Sequence, residues 1–123
     1  MNKNMQVKEF RLKLYPQDFY AVRAFYENEL GHAIVNEWDR ADSKGVMFDI
    51  GGTILEILTP EKSYIPIAGA DISLEVDDVW ALHETMASKP YMIRDLRDNP
   101  WGDTSFCIAD PEGFEITFFT RNR

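Results

Sequence analysis

The residues of this chain that could do chemistry sit on short alternating segments. If Leu12 and Leu14 face a core, Arg11, Lys13 and Tyr15 must point to the other side, because successive strand side chains alternate. The same parity groups Ile54, Glu56 and Leu58 opposite Leu55 and Ile57. It also turns Asp71, Ser73 and Glu75 away from Ile72, Leu74 and Val76, and Glu115, Thr117 and Phe119 away from Ile116 and Phe118. Faces of this kind are either solvated or line a cleft of mixed charge with aromatic walls. Trp38 and Trp101 fall near strand ends or loops, where an indole can wall a ligand pocket or seal a dimer interface, whereas Trp80 reads as helix packing. His32 follows a helix-ending glycine and His83 lies on a helix, so both read as surface or packing residues. Cys107 has no second cysteine to pair with, and its strand position predicts an inert buried thiol. There is no Ser-His-Asp order, phosphate loop, Cys-x-x-Cys pair or His-x-x-x-His spacing, so short motifs supply no catalytic constellation.

The 123 residues, 45% of them apolar, fit one domain with a real core. A net charge of -8 argues against nucleic acid, because counterion release needs a basic face. The segment from Met1 to Lys8 has no apolar run behind its charge, so neither a signal peptide nor a membrane span is read there, and the expected location is cytoplasmic.

The elements that must position these groups occur twice. An alternating strand over Phe10–Tyr15 is followed by a helix that Asp18 caps, with Val22, Phe25, Tyr26 and Leu30 at helical spacing and Gly31 at its end. Strands are expected at Ala33–Trp38, Val46–Ile50 and Thr53–Leu58, the last two joined at Gly51-Gly52. Beyond a linker with Pro60, Pro66 and Gly69, Ile72–Val76 alternates again, and Asp77-Asp78 caps a helix with Val79, Leu82 and Met86 inward. Strands at Tyr91–Leu96, Thr104–Ala109 and Phe114–Phe119 complete the second copy. Superposing the two hairpins sets Phe48 on Phe106, Ile50 on Ile108, and Leu55-Glu56-Ile57 on Ile116-Thr117-Phe118. The expected organisation is a single domain, 1–123, with module one at about 8–59, a linker at about 60–70 and module two at about 71–121.

This order carries Ala24-Phe25-Tyr26 before Leu30-Gly31, then Leu55-Glu56-Ile57, Leu74–Val79, Asn99-Pro100-Trp101-Gly102 and Asp110-Pro111-Glu112-Gly113. It resembles the vicinal oxygen chelate superfamily of glyoxalases, bleomycin-resistance proteins and extradiol dioxygenases, and most of all its non-metal, bleomycin-resistance-like branch. The resemblance implies an α+β fold of two βαβββ modules, whose curved mixed sheets surround a cleft with the helices outside. Metal-dependent relatives take one ligand from the first and one from the last strand of each module, which here are Arg11, Glu56, Asp71 and Thr117. Arg11 is a permanent cation and Thr117 a poor donor, so no metal or other cofactor is expected. Arg11, Glu56 and Asp71 would instead form a charged cluster that either ties the halves together or recognises a ligand.

The resemblance favours a metal-independent binding protein that sequesters an antibiotic-like, cationic or aromatic ligand. Its ligand-binding residues would be Arg11, Lys13, Tyr15, Trp38, Glu56, Asp71, Ser73, Trp101 and Thr117. The alternative is an enzyme of the same superfamily, a lyase, isomerase, dioxygenase or thiol transferase, using a metal at Glu56 and Asp71 or Glu56 as general base. A homodimer is expected, with neither a nucleic acid nor a membrane as partner.

Overall fold

A computed structural model describes residues 5–60 and 63–122. Residues 1–4, on which part of the N-terminal reading rests, and 61–62 of the expected linker lie outside them. The fold is α+β, with two four-stranded mixed sheets and a helix against each. The chain divides into two compact units, Met1–Ile65 and Pro66–Arg123.

In the first unit the strands are β1 (Arg11–Leu14), β2 (Ala33–Arg40), β3 (Ser43–Ile50) and β4 (Thr53–Leu58), in the order β1-β4-β3-β2. β1 runs parallel to β4, and the others pair antiparallel. The glycines between β3 and β4 both have positive φ, 56° and 87°, the backbone of a tight hairpin that side chains resist. Helix α1 (Phe19–Ala24) begins at Asp18, whose carboxylate accepts the Ala21 N–H, and passes into a π-helical turn over Phe25–Glu29. The wider turn departs from the regular helix expected, while Phe25 and Tyr26 still reach the core. Leu14, Val22, Tyr26, Phe48, Leu55 and Ile57 are buried around that helix. Leu12 is only half-buried, because β1 is an edge strand with a neighbour on one side.

In the second unit β5 (Ile72–Glu75), β6 (Met92–Asn99), β7 (Asp103–Ala109) and β8 (Glu115–Arg121) repeat the order as β5-β8-β7-β6. Asp78 caps α2 (Val79–Met86), whose Val79 and Met86 are buried and whose Leu82 is half-buried. Thr120 fixes the approach to that helix, accepting the Val79 N–H and donating to the Val76 carbonyl. Ile116, Phe118, Phe106 and Ile108 are buried, while Ile72 and Leu74 on edge strand β5 are half-buried.

The ladders correct the superposition of the hairpins. Phe48 pairs with Leu55 and Ile108 with Ile116, so Phe48 corresponds to Ile108 and Val46 to Phe106. The two-residue turn after β3 and the longer Asp110–Phe114 turn after β7 displace an alignment made on the turns. A shift of two keeps every side chain on its face.

No helix of the described residues is long and apolar enough to cross a membrane.

Candidate functional site

Two features of the open sheet faces bear on function, one in each unit. In the first, Lys13 pairs with Glu56 and Arg11 with Ile54, so Arg11, Lys13 and Glu56 share the face opposite α1, as alternation requires. Glu56 is only 5% exposed, and its Oε1 is buried with no hydrogen-bond partner. The nearest cation is Arg11, whose Nη1 lies 3.7 Å away, an ion-pair distance too long for a hydrogen bond. Arg11 holds its Nε on Glu9, a partner that the sequence did not single out. That bond, more than Glu56, raises the pKa of its guanidinium. Tyr15 is half-exposed, its ring 5.9 Å from Lys13 Nζ. Trp38 has a local role: its indole lies flat over Gly45 of the neighbouring strand and donates to Ser43 Oγ at 3.1 Å.

In the second unit a cavity of about 620 Å³ opens over the sheet face opposite α2. The register shows how the face is assembled. Arg94 pairs with Cys107, Cys107 with Thr117 and Thr117 with Ser73, while Arg97 pairs with Ser105 and Ser105 with Phe119. Asp71, Ser73, Trp101 and Thr117, all expected in a site, line this cavity. Arg94, Arg97, Asn99, Asp103, Ser105 and Glu115 line it too, and none of them was among the expected site residues.

These side chains form a hydrogen-bonded frame. Asn99, 7% exposed at the end of β6, donates through Nδ2 to Asp103 Oδ1 at 2.7 Å and to Ser105 Oγ at 2.9 Å. A carboxylate can only accept, so these bonds orient the amide and leave its oxygen to receive Arg97 Nε at 2.9 Å. Asp103 Oδ2 accepts the Trp101 indole N–H at 3.1 Å, which steadies a ring that is 70% exposed. Arg94 reaches Ser105 Oγ at 2.8 Å and the Ser105 carbonyl at 3.2 Å. Burial pushes the pKa of the Cys107 thiol up, which keeps it a neutral wall rather than a nucleophile.

Alternation hid the two arginines. Three residues apart on a regular strand, they would face opposite ways, but β6 carries irregularities that set Arg94 through Arg97 against only Cys107 through Ser105. The extra residue brings both guanidiniums to the cavity face.

The histidines are structural. His83 Nε2 meets Asp95 Oδ1 at 2.5 Å, and its ring packs edgewise on Phe106. His32 Nε2 is buried without a hydrogen-bond partner, and burial lowers the ring's pKa from its ordinary 6.5 against a smaller opposing pull from Asp49. The folded chain therefore resists a proton that the unfolded chain accepts, so stability should fall as pH drops below about 6.5 and level off below the folded pKa. Chemical denaturation at pH 7.5 and 5.5 checks this: His32→Gln should flatten the decline, and an unchanged slope would refute the assignment.

The fold and this arrangement of faces agree with the comparisons. The sequence model of the glyoxalase/bleomycin resistance protein/dioxygenase superfamily matches residues 10–118, and the chain belongs to that superfamily. Among solved structures it is similar to a glyoxalase/bleomycin resistance protein/dioxygenase from Nocardioides, with a TM-score of 0.76 at 15% identity over 98% of this chain and 87% of that one. It is also similar to a lactoylglutathione lyase from Agrobacterium tumefaciens, with a TM-score of 0.71 at 22% identity over 94% and 95%. A third is a glyoxalase-related enzyme from Fulvimarina pelagi, with a TM-score of 0.71 at 17% identity over 96% and 89%. No curated protein matches the sequence significantly.

The superfamily's divalent metal does not fit the side chains at its four positions. In the first unit a guanidinium stands 3.7 Å from the one carboxylate, and in the second the positions hold Asp71 and a neutral threonine. Among the described residues no three His, Cys, Asp or Glu side chains are grouped to hold an ion.

Proposed function

We propose that this protein is a metal-independent small-molecule-binding member of the superfamily, of the bleomycin-resistance-like kind, which sequesters or carries a flat, antibiotic-like aromatic ligand. The cavity of the second unit carries this reading: its size suits a small organic molecule, and Trp101 offers it an exposed ring held by Asp103. Asp71 and Glu115 stand at neighbouring positions of β5 and β8 and would receive a cationic substituent, which the chain's net negative charge would steer inward. A thermal-shift screen of flat heteroaromatic amines and acids tests the proposal. Binding ligands should raise the melting temperature, and Trp101→Leu should abolish the gain. Ligands that stabilise both proteins equally would place binding elsewhere.

Metal independence is supported by the donor chemistry. Added zinc, nickel or manganese should shift the melting temperature by less than about 1 °C, since an ion without a native site adds no binding free energy to the folded state. Elemental analysis finding near one metal per chain, lost on Glu56→Ala, would overturn this.

The same reading includes a homodimer. β2 and β6 are edge strands that expose Val35 and Ile93, and pairing would hide such edges. Light scattering should give twice the monomer mass at micromolar concentration, and a monomer would refute it.

One observation favours the enzymatic alternative. A buried carboxylate oxygen without a hydrogen-bond partner costs stability, and Glu56 Oε1 is one. As a general base Glu56 would be dispensable for binding and needed for turnover, a split that Glu56→Gln would reveal with lactoylglutathione as the test substrate.

A further inference from the structure

We propose that Arg94 and Arg97 form an anion subsite at the β6 edge of the second unit's cavity, and that the ligand bound there carries a carboxylate. The inference rests on reading the cavity as a ligand site and adds the chemical class of its occupant.

The two guanidiniums are distinguished by what they lack. Arg11, Arg23 and Arg121 each hold a carboxylate, as expected in a chain with 21 acidic residues against 13 basic ones. Arg94 and Arg97 form no ion pair among the described residues, although Asp103 lines the same cavity. Both Asp103 oxygens are already engaged, one by Asn99 and the other by Trp101. The frame therefore supports the arginines through neutral oxygens: Ser105 takes Arg94, and the oriented Asn99 amide takes Arg97 Nε.

Those bonds leave donors facing the cavity. Arg97 spends only Nε, so the N–H groups of both its Nη atoms have no partner among the described residues, and they form the fork that grips a planar two-oxygen anion. Arg94 is held from behind by Ser105 and adds a second positive charge on the same face. Trp101, from the turn that follows Asn99, can lie against a flat ring attached to that anion. Asp71 and Glu115 line the cavity from β5 and β8, and their negative charge disfavours a phosphate dianion more than a carboxylate. An aromatic carboxylate fits both the charge and the wall.

Calorimetry on the full chain with 2-naphthoate, 2-naphthamide and inorganic phosphate tests this. Naphthoate should bind about tenfold or more tightly than naphthamide, the scale of one charge-assisted bidentate contact. Arg97→Gln should erase that preference while leaving naphthamide affinity unchanged, Arg97→Lys should restore part of it, and Trp101→Leu should weaken both ring compounds alike. Arg94→Gln should act as Arg97→Gln does. Because Arg97 touches only Asn99 within this frame, its variant is the decisive one should Arg94→Gln perturb folding. Equal affinity for naphthoate and naphthamide, a preference that survives Arg97→Gln, or phosphate binding as tightly as naphthoate would overturn the subsite while the cavity stands as a binding site. No binding of either naphthalene compound would overturn the cavity reading, and the subsite with it.

Discussion

Asp110→Ala should destabilise the protein by about 2–4 kcal/mol, the largest effect expected from any single change considered. Asp110 is buried in the turn between β7 and β8, where its Oδ1 accepts the Glu112 N–H at 2.8 Å and the Phe114 N–H at 3.0 Å. The same turn is closed by the Asp110 N–H on the Phe114 carbonyl and the Gly113 N–H on the Asp110 carbonyl. Alanine would strip two backbone donors of their acceptor, and the one on Phe114 is buried where water cannot replace it. Asp110→Asn keeps an oxygen in the same place and should recover most of the loss. Urea denaturation of the two variants separates the cases: an equal loss for Asn and Ala would mean that the turn depends on the charge rather than on the acceptor.

Gly45→Ala should cost about 1–3 kcal/mol, as expected for overpacking a well-filled site. A Cβ at Gly45 would fall 2.1 Å from Trp38 Cζ2, so the indole would have to swing off the strand and give up its hydrogen bond to Ser43. The backbone itself is no obstacle, since Gly45 is not among the glycines with positive φ. The penalty should therefore vanish when Trp38 is replaced by alanine, leaving Gly45→Ala neutral in that background. A double-mutant cycle by chemical denaturation measures the coupling, and additive losses would show that the glycine serves something other than the indole.

Much of the architecture was legible because it rests on local rules. Alternation at Leu12/Leu14 and Leu55/Ile57, the caps Asp18 and Asp78 and the Gly51-Gly52 turn each act within a few residues, and each appears in the structure where the sequence put it. The candidate site was legible only in part. Asp71, Ser73, Trp101 and Thr117 line one cavity, but Arg94 and Arg97 reach it through a strand irregularity that alternation cannot anticipate. Trp38 was an equal candidate to Trp101 by sequence, and what separates them is a bare glycine across the strand under one indole and an anchoring aspartate beside the other.

By itself the sequence determined which residues form strands and helices, which side of each strand meets the core, and that the pattern occurs twice. Those properties follow from side-chain periodicity and from turn and cap chemistry, which act over short stretches of chain. Tertiary structure alone decided that Glu56 is buried with an unpartnered oxygen, that Asp103 is occupied by Asn99 and Trp101, and that two arginines are left with their charges uncompensated. These depend on strand register and on which groups meet across the sheet, where one extra residue in β6 reverses the face of everything beyond it.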